Sequence, residues 1–200
     1  NLVIGGAMTD GKGDRSKRPS QQEVREAYVH VTERRKDGIV ISGVKAIITG
    51  APYMHEFLVM PCRRMQEDDK DFTIACAVPV DAEGITIVAR PAGRPENPAA
   101  KMSAKFAQAV GVAHFDNVFV PYDKVFIDGE TEEAHIMTTH YATHHRHSCI
   151  GARAGFGDLL IGAGAMMSEA NGLDVEKKGH MREKMVDLIK ITEGFYACGI

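Results

Sequence analysis

The chain has 200 residues, 44% of them hydrophobic, enough to build a core in one domain or in a middle-sized piece of a larger protein. A net charge of −3 excludes wholesale nucleic-acid binding, and the absence of Trp with only five Tyr leaves little for base stacking. No apolar run reaches the ~18 residues of a membrane span, no secretory leader is visible, and Cys62, Cys76, Cys149 and Cys198 are scattered without a C-x-x-C pair. The expectation is a cytoplasmic protein with reduced thiols that binds neither membrane nor nucleic acid.

The first feature along the chain is "VIGGAMTDGKGDRSKRPS", residues 3–20. It carries the spacing G-x-x-x-x-G-K of a nucleotide-triphosphate loop, from Gly6 to Gly11 and Lys12. That loop needs Ser or Thr after the Lys and a helix to receive the phosphates, but Gly13 follows Lys12 and no helical period follows it. Two readings stay open for the segment. It is a solvated basic turn, or its glycines expose backbone N–H groups and Lys12, Arg15, Lys17 and Arg18 hold a dinucleotide pyrophosphate.

Strands come next. "YVHVTE" alternates, "RKDG" turns, and "IVISGVKAIITG" is β-branched with small and large residues alternating. "FLVMP", "FTIACAVPV", "ITIVAR" and "VGVAHFDNVFVPYDKVFI" follow, with turns at Asp81–Gly84 and in "RPAGRPENPA". Short strands at this spacing predict a sandwich or barrel over residues 1–127. The acidic "DGETEE", residues 128–133, reads as a hinge, and residues 134–200 are helical in period.

One long helix is expected from about Ala134 to a stop at Asn171–Gly172. Gly151, Gly155, Gly157, Gly162 and Gly164 weaken it by roughly 0.5–1 kcal/mol each relative to Ala, which predicts that another backbone or a ligand comes close. A second helix is expected from near Asp174 as N-cap, with Met181, Met185, Leu188, Thr192 and Phe195 as its packing stripe. The chain begins without Met in an apolar run and stops at "FYACGI" inside a helical pattern, so a piece of a longer polypeptide is expected.

The long helix also carries "HYATHHRHSC". His140, His144 and His147 share one helical face, and His145 and Cys149 lie on a neighbouring one. A His/Cys pair at i, i+4 suits zinc or an iron–sulfur centre, although no H-E-x-x-H is present. The alternative is a set of exposed imidazoles. Beside "GARAGFGD", His145 and Arg146 offer a proton-transfer group and a fixed positive charge. Cys62, Cys76 and Cys198 sit in apolar patterns and read as small core residues.

Taken together, "DGKGDRSKRPSQQ", "DGIVISGVKAIITGAP", "FDNVFVPYDKVF" and "HRHSCIGARAGFGDLLIGAGAMMSEANG" resemble, in that order, the flavoprotein family of 4-hydroxyphenylacetate 3-hydroxylases. Within it they resemble the branch of 4-hydroxybutyryl-CoA dehydratase/vinylacetyl-CoA isomerase. The resemblance implies an α+β, acyl-CoA-dehydrogenase-like fold. Residues 1–127 would be its middle β-domain, 128–133 a hinge, and 134–200 the first helices of a C-terminal bundle. It also implies FAD, contacted by Met8, Thr9, Asp10, Lys12, Gly13, Asp14 and Arg15, and by Thr49 and Gly50 at a strand end.

The implied activity is dehydration or isomerisation of a short hydroxyacyl- or enoyl-CoA thioester, with His145, Thr49 and Arg146 as catalytic groups. The implied assembly is a homotetramer. The branch also carries a [4Fe–4S] cluster, for which His145 matches a ligand. The matching cysteine position is Ala152, so Cys149 becomes the substitute ligand, or this chain holds no cluster. The branch's active-site glutamate falls on Val110, and a lysine of the Gly-rich helix on Arg153. These departures keep a second reading in play, a reduced-flavin-dependent aromatic monooxygenase served by a flavin reductase. A third, a His-rich metal-binding or P-loop module, lacks the motifs it would need.

Overall fold

The structure, a computed structural model, describes residues 1–93, 96 and 98–199. The turn expected in "RPAGRPENPA" lies partly outside these, at Arg94, Pro95 and Asn97. The chain forms two compact units, Asn1–Thr138 and Thr139–Ile200.

The first unit is built from two four-stranded sheets. One has β1 (Ile4–Ala7), β4 (Glu56–Val59), β5 (Ile74–Pro79) and β8 (Val125–Asp128) in that order, with β1 and β4 parallel. The other has β2 (His30–Arg34), β3 (Gly38–Thr49), β7 (Val110–Pro121) and β6 (Ile85–Arg90), all antiparallel. The inward positions of both sheets meet in one core containing Ile39, Ile41, Phe57, Ile74, Val78, Phe115 and Val118. Burying each such side chain contributes about 1.5–3 kcal/mol, which selects the register that keeps them inside. A short helix, α1 (Lys101–Phe106), lies between β6 and β7, where no helix is expected from the sequence.

Two irregularities interrupt the central pair β3–β7. Between Ile41 and Gly43 the extra residue belongs to β7, where Asn117 takes φ 51°. Between Lys45 and Ile48 it belongs to β3, where Ile47 takes φ 59°. A β-branched residue in that region is a strained outlier, costing on the order of 1–3 kcal/mol.

The long segment between β1 and β2 has little regular structure but is pinned by a buried carboxylate. Asp69 has no solvent exposure. It accepts bonds from Arg18 Nε at 2.8 Å, Ser20 N at 3.1 Å, Ser20 Oγ at 2.7 Å and Gln66 N at 3.0 Å, and it pairs with Arg18 Nη2. Such a charge is tolerated inside because its lone pairs are taken.

Asp128, in the segment expected as a hinge, closes β8, and the long helix α2 (Thr131–Ala170) already includes Thr131–Glu133. Its first turns belong to the β unit, where Thr138 Oγ1 donates to Pro61 O at 3.3 Å. The helix stops where Gly172, at φ 70°, reverses the chain. Leu173 N bonds Ser168 O at 2.9 Å and Gly172 N bonds Glu169 O at 2.9 Å, so the last carbonyls are satisfied.

Asp174 does not start the next helix. Its carboxylate caps a separate turn through Glu176 N and Lys177 N, and α3 begins later, at Gly179, and runs to Gly199. α2 and α3 pack antiparallel along part of the expected stripe. A Cβ on Gly157 would strike Thr192, one on Gly164 would touch Met185 Sδ at 3.4 Å, and one on Gly199 would meet Ile150 at 3.1 Å. Gly151, Gly155 and Gly162 have nothing within 4 Å, so their freedom is unused in the hairpin.

Candidate functional site

The Gly/Lys loop leaves β1 at Ala7, and its backbone takes left-handed conformations at Lys12 (φ 71°) and Gly13 (φ 47°). At Gly13 that backbone strains any other residue, and a Cβ would also push Gln22 Oε1 aside. Gln22 holds the peptide of Asp14 from both sides. Its Oε1 accepts from Asp14 N at 3.0 Å, and its Nε2 donates to Asp14 O at 2.8 Å. The Asp14 carboxylate folds onto Ser16, whose hydroxyl at 2.7 Å and N–H at 2.9 Å hold it below the usual carboxylate range.

Of the four cations expected to serve a phosphate, Arg18 is consumed by Asp69 and Lys17 lies 3.7 Å from Glu23. Lys12 and Arg15 have no ion-pair partner among the described residues, which makes them the available pair. A cleft of about 200 Å³ opens beside the loop, lined by Gly13, Asp14, Lys17, Gln22 and Val24.

Met8 and Thr9 are half-buried, and the Asp10 side chain is turned inward, 2% exposed. Its Oδ1 meets Lys45 Nζ at 2.5 Å, so the flavin contact expected of Asp10 is open only to its main chain. Lys45, 3% exposed at its side chain, also donates to Met8 O at 3.1 Å and Met60 O at 2.8 Å. Asp10 Oδ2 is buried without a hydrogen-bond partner among the nitrogen and oxygen groups of the described residues. The Cys62 thiol faces this carboxylate and is pushed up, first by burial and then by the Asp10 charge. Lys45 was visible in the sequence as a lone cation inside the run "IVISGVKAIITG".

Thr49 and Gly50 end β3. The bulge at Ala46–Ile47 reverses the alternation, so Ile48 is buried and Thr49 exposed. Gly50, at φ 72°, turns the chain and donates from its N to Ala109 O at 2.7 Å. The Thr49 hydroxyl has no partner among the described residues. Thr49 pairs with Val110, and Val110 with Arg90, so these three form one cross-strand row on the outer face. Beside it lie Ile47, Val112 and Val88, 69%, 37% and 65% exposed. The row therefore joins a hydroxyl and a guanidinium without an ion-pair partner among the described residues to an apolar strip.

The helical unit holds the other candidates. His145 and Arg146 are exposed, and Cys149 Sγ lies 3.7 Å from His145 Nε2. Tyr141 stacks on His145 with ring centroids 5.8 Å apart. His147 bonds Gly199 O at 3.2 Å and lines, with His144, Ser148 and Tyr196, a cleft of about 320 Å³. No group of three metal-binding side chains occurs among the described residues. His145 and Cys149 are thus two donors, half of what a [4Fe–4S] cluster takes. Cys76, in the β core, is pushed up to about 12 by burial and has no nucleophilic role.

The family of 4-hydroxyphenylacetate 3-hydroxylases matches twice, its N-terminal model over residues 1–127 and its C-terminal model over 134–200. A 4-hydroxybutyryl-CoA dehydratase/vinylacetyl-CoA-Δ-isomerase of Clostridium aminobutyricum is 36% identical over all of this chain and 42% of its own length. Among solved structures, an oxygen-tolerant archaeal 4-hydroxybutyryl-CoA dehydratase from N. maritimus superposes with TM-score 0.88 at 38% identity, over 100% of this chain and 40% of that one. The oxygenase component of 4-hydroxyphenylacetate 3-monooxygenase, in complex with FAD and 4-hydroxyphenylacetate, gives TM-score 0.82 at 26% identity, over 98% of this chain and 41% of that one. A steroid acyl-CoA dehydrogenase variant, at 18% identity and TM-score 0.64, shares the fold, which is α+β and acyl-CoA-dehydrogenase-like. The chain spans about two fifths of the length of these relatives. No helix among the described residues is long and apolar enough to cross a membrane.

Proposed function

The chain belongs to the 4-hydroxyphenylacetate 3-hydroxylase family, and from that premise we propose that it is part of an FAD-dependent dehydratase/isomerase acting on a short hydroxyacyl- or enoyl-CoA thioester. The observation that carries this reading is the 36% identity to the Clostridium dehydratase across the whole chain, against 26% to the FAD-bound monooxygenase component.

The loop fits a flavin dinucleotide. Its left-handed turn lies at Lys12–Gly13, and among the described residues Lys12 and Arg15 have no ion-pair partner and the Thr49 hydroxyl no hydrogen-bond partner, which leaves them for the pyrophosphate and the flavin. Bound FAD would supply one-electron chemistry that makes an unactivated β-hydrogen removable. The chain's own groups bind and orient. Thr49 donates or accepts a hydrogen bond at the flavin or substrate, Arg90 offers a cation on the same row, and His145, where it does not ligate a cluster, exchanges a proton at Nε2 beside the fixed charge of Arg146. For a cluster, His145 and Cys149 would be this chain's donors, and Ala152 offers none.

The same reading takes residues 1–127 as the middle domain, 128–133 as a hinge and 134–200 as the start of a helical bundle, in a cytoplasmic homotetramer. Exposed Phe156, Leu160, Met166 and Met167 on α2 support burial of that helix in an assembly. Full-length protein, purified without oxygen and given 4-hydroxybutyryl-CoA or vinylacetyl-CoA, should form crotonyl-CoA. No product from either substrate would sink the proposal.

Val110 and Ala152, where the dehydratase branch is expected to carry an acid and a thiolate, favour a second reading. In it the protein takes reduced flavin from a reductase and hydroxylates a phenol. Oxygen-dependent hydroxylation of 4-hydroxyphenylacetate with added reduced flavin would establish it, and peroxide release without hydroxylated product would count against it.

A further inference from the structure

Lys45 spends its whole hydrogen-bonding capacity inside the β unit. An ammonium has three N–H donors, and here three acceptors surround it: Met8 O, Asp10 Oδ1 and Met60 O. Two of these belong to the Gly/Lys loop and one to the end of β4, while Lys45 itself sits on β3. Ala46 N adds a bond to Thr9 O at 2.7 Å, and Met60 N one to Ala7 O at 3.3 Å. The loop, β3 and β4 are therefore clamped at one point.

Stability alone does not account for a charge at this point. Two ions taken out of water regain from each other no more than about what their desolvation costs, and an apolar pair of the same volume commonly does as well or better. The best-attested use of a buried pair is to fix a register. The register fixed here is between the two segments proposed to meet the flavin. Met8 and Asp10 begin the loop, and the bulge that presents Thr49 starts directly after Lys45.

We propose that Lys45 is the positioning residue of the flavin site, its buried ammonium holding the 8–15 loop at one fixed distance from the Thr49–Gly50 strand end. The proposal rests on the flavin reading above. Displacements of about 1 Å in such a site cost on the order of 100-fold in rate, so a fixed spacing has functional weight.

Lys45→Met alone would strand the Asp10 charge, so the test pairs it with Asp10→Asn in the full-length protein. The first readout is FAD affinity, by titration of the apoprotein with flavin fluorescence. The second is the flavin's visible circular dichroism, and the third is hydrogen exchange of residues 8–15 in the apoprotein. The double variant should melt close to the parent, bind FAD at least tenfold more weakly, change the dichroism, and exchange faster in the loop.

If the double variant does not fold, Lys45→Arg, which keeps the charge but moves the donors, decides the matter by the same readouts. Parent-like affinity, dichroism and loop exchange in these variants would overturn the role of Lys45. A parent protein that takes up no FAD would instead overturn the flavin reading, and the proposal with it.

Discussion

In the β unit Phe57, Phe115, Ile39 and Ile41 are fully buried, and the charges that go inside with them, Asp69 and Lys45, have their partners there. In the helical unit the buried positions are small or polar, Ala154, Ser168 and Thr192, while Phe156, Leu159, Leu160, Met166 and Met167 are each more than half exposed. The β unit has a core of its own. Two helices can cover only one stripe of each other, and the remaining apolar surface is of the kind that marks an interface.

The largest expected effect lies in the β unit. Asp69→Ala leaves Arg18 without its carboxylate and should cost about 3–5 kcal/mol in denaturant unfolding. The same carboxylate sets a pH dependence. Burial alone would raise its pKa, but the Ser20 and Arg18 bonds outweigh that and hold it below the usual range. With the folded value depressed, the stabilisation is fully present above the unfolded value of about 3.9 and is lost as pH falls through and below it. An acid titration of parent and Asp69→Ala should therefore converge at low pH.

The hairpin should respond less, and its sign is informative. Gly157→Ala would press a methyl into Thr192 and should cost about 1–3 kcal/mol. Gly162→Ala meets nothing within 4 Å and should stabilise an exposed helix by about 0.5–1 kcal/mol. Destabilisation by Gly162→Ala in the full-length protein would instead mean that a neighbour lies against that face, which would sharpen the contrast between the units. The smallest effect is expected from Leu160→Ala, within about 0.5 kcal/mol if its surface stays in water. A shift to smaller species in sedimentation would assign Leu160 to an assembly interface.

Much of the β unit was legible because β3 and β7 announce themselves by β-branched alternation, from Ile39 to Ile48 and from Val110 to Val120. The bulges were not. Nothing in "KAIITG" states that one residue is extra. The end of α2 at Asn171–Gly172 was readable, because a left-handed glycine is a local requirement. The start of α3 was not, since Asp174 caps equally well the short turn it occupies. Among candidate site residues, Asp10 and Lys45 illustrate the limit. Lys45 was visible as a charge in an apolar run and Asp10 as one acid of a polar loop, but their pairing joins segments 35 positions apart and appears only in the fold.

Ile47 carries one more consequence, for how this site tolerates change. What matters at that position is a left-handed backbone rather than a particular side chain. Ile47→Gly or Ile47→Asn should be accepted, or even relieve strain, because both residues enter the left-handed region readily. Deleting Ile47 would remove the extra residue and put β3 back in step with β7, leaving Ile48 inside opposite Gly111 and Thr49 outside opposite Val110. A lineage of such proteins could then vary this residue in kind, or lose it, and still aim Thr49 outward.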